Sequence, residues 1–143
     1  MDLIKRNAPS KDDEPPKWKL AYFEISAQEA RSFLTEEQYE HAVEQFEELA
    51  LEEDPTHPKT ADVRSIEGFH ELRDKGGVLG KINLRVYFSV CKPARMIVVL
   101  GAYKKESEAQ TPNWIVRRIK QRQRLLEEHL AKEGLTRLPR KRE

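Results

Sequence analysis

KINLRVYFSVCKPARMIVVLGAYKK, residues 81–105, decides the fold of this chain. Its first ten residues alternate strictly. Ile82, Leu84, Val86, Phe88 and Val90 fall on one side, Lys81, Asn83, Arg85, Tyr87 and Ser89 on the other. Such alternation marks a half-buried strand, because successive side chains leave a strand on opposite faces. Cys91-Lys92-Pro93-Ala94 reads as a turn and RMIVVLGAY (95–103) as the returning strand of a hairpin. A turn that pairs Val90 with Met96 sets Leu84, Val86 and Phe88 toward a core with Val98, Leu100 and Ala102. The opposite face then carries Tyr87 beside Val99, Arg85 beside Gly101 and Asn83 beside Tyr103, and Lys105 continues it.

Upstream, VRSIEGFHELR (63–73) reads as an extended segment interrupted at Gly68, and DKGGVLG (74–80) as a glycine-rich turn. WKLAYFEIS (18–26) has the aromatic and β-branched content of a first strand. Ser26-x-x-Glu29 and Thr35-x-x-Gln38 both have capping-box spacing, so two helices follow it. The second carries Tyr39, Val43, Phe46 and Ala50 along one stripe and ends at Asp54-Pro55. Downstream, Thr111 is placed to cap a helix with Pro112 at its first position. Ile115, Ile119, Leu126 and Leu130 line one side of that helix, and Gly134 ends it.

The expected class is α+β in the order β-α-α-β-β-β-α: an antiparallel-rich sheet of about four strands with helices on one face. Three segments are expected: a disordered extension over 1–17, one folded domain over 18–133, and a basic tail over 134–143. With 143 residues, 36% charged and 38% apolar, the chain holds one core and much solvated surface. A lone cysteine, Cys91, excludes a disulfide framework and a thiolate metal site, and neither metal nor cofactor is expected. No signal-type segment or membrane-length apolar run is apparent, so a cytoplasmic protein without membrane contact is expected.

The net charge of +1 conceals an asymmetry. Residues 1–60 hold 7 Lys and Arg against 15 Asp and Glu, whereas residues 61–143 hold 19 against 10. A basic half of this kind suits a polyanion. On the hairpin's polar face, Arg73, Arg85, Tyr87, Tyr103 and Lys105 assemble into one patch, with Lys104 at its rim. Cations interleaved with tyrosines suit RNA, since cations neutralise phosphate and rings stack on unpaired bases. The same groups fit cleavage by an internal 2′-hydroxyl, which needs a base, an acid, and cations against the charge on phosphorus. Clustered cations are expected to lower a neighbouring lysine or tyrosine pKa. Arg85 is either a phosphate clamp or the cross-strand partner of Glu71. Arg117 and Arg118 either extend the phosphate-binding surface or belong to a solvated helix face.

Residues 69–125 carry a more specific pattern: Glu71-Leu72-Arg73, Arg85-Val86-Tyr87-Phe88, Gly101-Ala102-Tyr103-Lys104-Lys105 and Thr111-Pro112, in that order. The pattern resembles the phage-derived HigB-like branch of the RelE/ParE toxin superfamily, with the helix pair at 27–52 also in place. That resemblance implies a compact RelE-like fold and the toxin component of a type II toxin-antitoxin system. The expected activity is a ribosome-dependent, metal-independent mRNA endonuclease (an mRNA interferase) that inhibits translation. Its partners are then mRNA, the ribosome and a cognate antitoxin of helix-turn-helix type. The resemblance implies that Arg73 and Arg85 bind the phosphates and that Tyr87, Tyr103 and the Lys104-Lys105 pair are candidates for proton transfer or stacking. With the patch, the expected catalytic residues are Arg85, Tyr87, Tyr103 and Lys105, and the expected phosphate-binding residues Arg73, Lys104, Arg117 and Arg118. Ala102-Tyr103 departs from the Phe and β-branched residue of many relatives, and no histidine lies near the final strand. Two alternatives stay open: a non-catalytic RNA- or protein-binding member of the fold, and a ParE-like gyrase inhibitor.

Overall fold

The computed structural model describes residues 2–106 and 110–134. It is a mixed α+β fold with six strands and three helices: β1 (Leu3–Arg6), β2 (Lys19–Phe23), α1 (Glu24–Arg31), α2 (Glu36–Leu49), β3 (Asp62–Ser65), β4 (His70–Asp74), β5 (Leu84–Cys91), β6 (Met96–Lys104) and α3 (Asn113–Lys132). All six strands form one sheet in the order β1-β2-β6-β5-β4-β3. Only the β2–β6 pair is parallel.

The sheet is larger than the four strands expected, at both edges. VRSIEGFHELR is two strands, because Gly68 at φ 89° turns the chain between β3 and β4. At the other edge, the disorder expected over 1–17 does not hold at Leu3–Arg6, which pairs antiparallel with β2. The basic tail expected past Gly134 lies outside the described residues.

Helices lie on both faces, not one. On the first face, Leu20, Leu72, Leu84, Val86, Phe88 and Ile97 pack under Leu34, Ala42, Phe46 and Leu49. Phe46 meets Phe88 edge-on at 5.4 Å. α2 forms because the expected Thr35 capping box closes in both directions, Gln38 N–H to Thr35 and Thr35 N–H to Gln38. The Ser26 box does not form. α1 starts at Glu24, and the Ser26 hydroxyl donates back to the Phe23 carbonyl at 2.6 Å.

On the second face, α3 lays Ile115, Val116, Ile119, Leu126 and Leu130 over Phe69, Tyr87, Val98 and Leu100. The four residues read as its stripe are all buried, worth about 2 kcal/mol each against exposure. Thr111 does not cap this helix: Pro112 takes the cap position with no side-chain bond.

The β5–β6 register also differs from the expected one. Cys91, not Val90, pairs with Met96, and after a bulge between Tyr87 and Phe88 the partners become Tyr87–Gly101, Val86–Ala102 and Arg85–Tyr103. Leu100 is the extra residue. The first slip moves Val98 and Leu100 to the face under α3. The bulge supplies the second slip, which restores the expected face to Ala102, Tyr103 and Lys105.

β6 pairs with β2 only as far as Val99. Beyond it, Arg122 from α3 donates to the Leu100 carbonyl at 2.8 Å, and the Ala102 N–H donates to Glu29 of α1 at 3.3 Å. Arg122 and Glu29 also bond to each other at 2.7 and 2.8 Å. Together they satisfy backbone groups that β2 leaves behind. Gly101 makes room for them, since a Cβ there would sit 2.6 Å from Ile119 Cδ1 and 2.9 Å from Arg122 Nη1.

Candidate nucleic-acid interface

The polar side chains of β4 and β5 converge on Glu71, which is fully buried. Arg73 Nε donates to its Oε1 at 2.5 Å, and Arg85 Nε lies 3.3 Å from the same oxygen. The Thr111 hydroxyl donates to Oε2 at 2.5 Å. This arrangement follows from the strand period: Glu71, Arg73 and Arg85 share one face, and Arg73 and Arg85 are direct cross-strand partners. Two like charges opposite one another repel, and the buried carboxylate between them is what makes the pairing tolerable. Arg85, 2% exposed, further donates to Asn83 Oδ1 at 2.6 Å, which fixes the plane of its guanidinium.

Outward of this cluster lies a basic groove. Arg73 and Arg85 line a cavity of about 530 Å³ together with Arg64, Lys75, Asp62, Asp74 and Asn83. A second cavity of about 690 Å³ shares Lys75 and Asn83 and adds Lys81, Lys105 and Glu106. Six cations thus border the two cavities, against Asp62, Asp74 and Glu106 at the walls and Glu71 behind. Some of this charge is locally answered, as Arg64 pairs with Asp62 at 2.9 Å and Asp74 holds His41 at 2.7 Å. Lys105 is 7% exposed, and its ammonium donates to the Gln110 carbonyl, tying the end of β6 to the loop that leads into α3.

The residues read from sequence fall into three groups. Arg73, Arg85 and Lys105 belong to the groove. Tyr103, half-buried, lines neither cavity but is the cross-strand partner of Arg85 and meets Trp114 edge-on at 5.7 Å. Tyr87 is withdrawn: it is 1% exposed beneath α3, edge-on to Phe69 at 6.0 Å. Among the described residues its hydroxyl has no hydrogen-bond partner, and the nearby Thr111 hydroxyl donates to Glu71. Burial raises this phenol well above its ordinary value, the reverse of the lowering expected from clustered cations. Lys104 and Arg117 are exposed. Arg118 stacks over Trp114 at 4.9 Å and reaches Glu29 at 3.4 Å. The face expected to be open is therefore covered over its centre and accessible at its end.

His70 lies on the first face, its ring tilted against Phe88 with centroids 5.7 Å apart, and burial lowers its pKa. Among the described residues no group of three or more His, Cys, Asp and Glu side chains is placed to hold a metal ion, and no helix is long and apolar enough to cross a membrane.

Sequence reasoning missed four contributors, one of them Lys81, which shares the polar side of the 81–90 alternation. Arg64 and Lys75 join the groove from β3 and the turn after β4, where no periodicity marks them. Trp114 is 46% exposed, a signal invisible in the helix pattern because it sits beside Ile115 and Val116. No family model matches the chain, and no curated protein matches it in sequence.

Proposed function

We propose that the chain is a toxin of the RelE/ParE superfamily, HigB-like branch, with a RelE-like fold, and that it cleaves mRNA on the ribosome without a metal. The reading rests on the motif order in the sequence. The observation that carries it is the pair Arg73 and Arg85, held on one buried carboxylate and opening into a basic groove. Two fixed guanidiniums at a groove wall suit a phosphate that gains charge during reaction, because their geometry is set beforehand.

In this mechanism the 2′-oxygen attacks phosphorus and the bond to the 5′-oxygen breaks. The products are a 2′,3′-cyclic phosphate and a 5′-hydroxyl end. The 2′-hydroxyl proton passes to a base, and a proton from an acid meets the leaving oxygen. Lys105, which lines the groove, and Tyr103, the cross-strand partner of Arg85, are the candidates for these transfers. Tyr87 takes no proton, since burial keeps its phenol protonated at neutral pH. A helix-turn-helix antitoxin and the ribosome are the corresponding partners.

The burial of Tyr87 also favours a second reading, in which the same groove holds RNA without cutting it. Primer extension on mRNA after induction separates the two. Wild-type protein is expected to give discrete new ends, and Arg85→Gln to lower their yield by about 10²–10³-fold, the effect of removing one charge-stabilising donor. Circular dichroism checks that the variant stays folded. Transcripts left intact by the wild type would sink the nuclease reading. RNA binding that weakens steeply with salt, without cut products, would leave the second.

A further inference from the structure

We infer that Trp114 forms a stacking subsite for an unpaired RNA base, next to the groove that holds the phosphates. The inference rests on the RNA reading above but not on cleavage.

Trp114 is one of two large apolar side chains exposed among the described residues. Its neighbours are those a base-stacking platform uses. The Arg118 guanidinium covers the ring at 4.9 Å, Tyr103 sets it edge-on at 5.7 Å, and exposed Lys104 follows Tyr103 in the strand. The Arg118 guanidinium against one face of the indole holds the ring in place, so a nucleobase that stacks on its exposed surface meets an ordered platform. Apolar packing does not account for the position: Ile115 and Val116, the next two residues, are buried while Trp114 is not.

The platform is fixed to the groove twice. Tyr103 is the cross-strand partner of Arg85. Thr111, three residues before Trp114, bonds Glu71, the carboxylate that holds Arg73 and Arg85. A strand of RNA whose phosphate lies on the two arginines therefore brings a neighbouring base to Trp114. Stacking asks for a π-face and not for a base edge, so the subsite takes single-stranded RNA with little base preference and excludes paired bases.

The two tryptophans of the chain make the test direct, because Trp18 is buried against Arg95 while Trp114 is exposed. A single-stranded RNA oligonucleotide is titrated into full-length wild type, Trp114→Ala and Trp114→Phe, following both tryptophan fluorescence and a label on the RNA. Wild type is expected to bind with quenching. Trp114→Ala is expected to lose about ten-fold in affinity and all of the quenching, with an unchanged salt slope, and Trp114→Phe to recover most of the affinity. Binding of the same oligonucleotide as a duplex is expected to be equal in all three proteins. Equal single-strand affinity of wild type and Trp114→Ala overturns the subsite while the RNA reading stands. No RNA binding by the wild type overturns both.

Discussion

Two carboxylates gather arginines on this sheet, and they do opposite things. Glu29 takes two bonds from buried Arg122 and a longer 3.4 Å contact from exposed Arg118, and the remaining polar capacity of the pair goes to the backbone of Leu100 and Ala102. Glu71 is shared by Arg73 and Arg85, so the cluster keeps a surplus positive charge and places it at the wall of a groove. A pair whose donors end on the protein's own backbone holds strands and helices together. Glu71 sets one buried charge against two arginines that both line a cavity, which keeps charge available for a ligand. Counting arginines on the last helix does not separate these cases, since Arg117, Arg118 and Arg122 look alike in sequence.

The largest effect that tests this contrast is on stability. Arg122→Ala leaves Glu29 partly buried without its main partner, and is expected to cost about 3 kcal/mol in chemical denaturation. The double variant Glu29→Gln, Arg122→Met is expected to regain part of that loss, because no unpaired charge then remains. Arg85→Gln, by contrast, is expected to lose function with less loss of stability, as Glu71 keeps Arg73 and Thr111. If the two variants behave alike in both assays, the distinction between the hubs fails.

Gly101→Ala pushes a methyl into the contact between Ile119 and Arg122, and a loss of about 2 kcal/mol is expected in thermal unfolding. Thr111→Val removes a donor from buried Glu71, at an expected cost of about 1 kcal/mol, and loosens the tie between the groove and the start of α3. Its RNA affinity is expected to fall more than its melting temperature suggests.

The smallest effect belongs to neither hub. Burial lowers the pKa of His70, so the folded state binds this proton less readily than the unfolded chain. Stability from this source is intact above the unfolded value of about 6.5 and is lost as pH falls toward the lower folded value. A modest acid-side drop in melting temperature, absent in His70→Phe, is expected, and it sets the background for any pH dependence of the hubs.

Much of this was legible in the chain. The β5 alternation placed Arg85 and Tyr87 on one face and Val86 and Phe88 on the other, and the α3 stripe marked its buried side. The open face was misread, although a signal was present: MIVVLG in β6 is apolar at odd and even positions alike, the pattern of a strand covered on both sides. The register was not legible. It depends on Arg95 adopting φ 50° and on a bulge whose backbone is satisfied by Glu29 and Arg122, two residues distant in sequence. β1 escaped notice because four residues amid prolines carry too little pattern to mark an edge strand.

The parallel pairing of β2 with β6 has a consequence in time. β6 meets β5 across a short turn, so that hairpin closes quickly, whereas its contact with β2 must close a loop of most of the domain. Synthesis runs the other way: β1 and β2 are made first and have no sheet to join until β6 has emerged. The order of translation and the order of assembly are thus opposed, and the first two strands wait as an unattached ribbon for a scaffold built from the chain's later half.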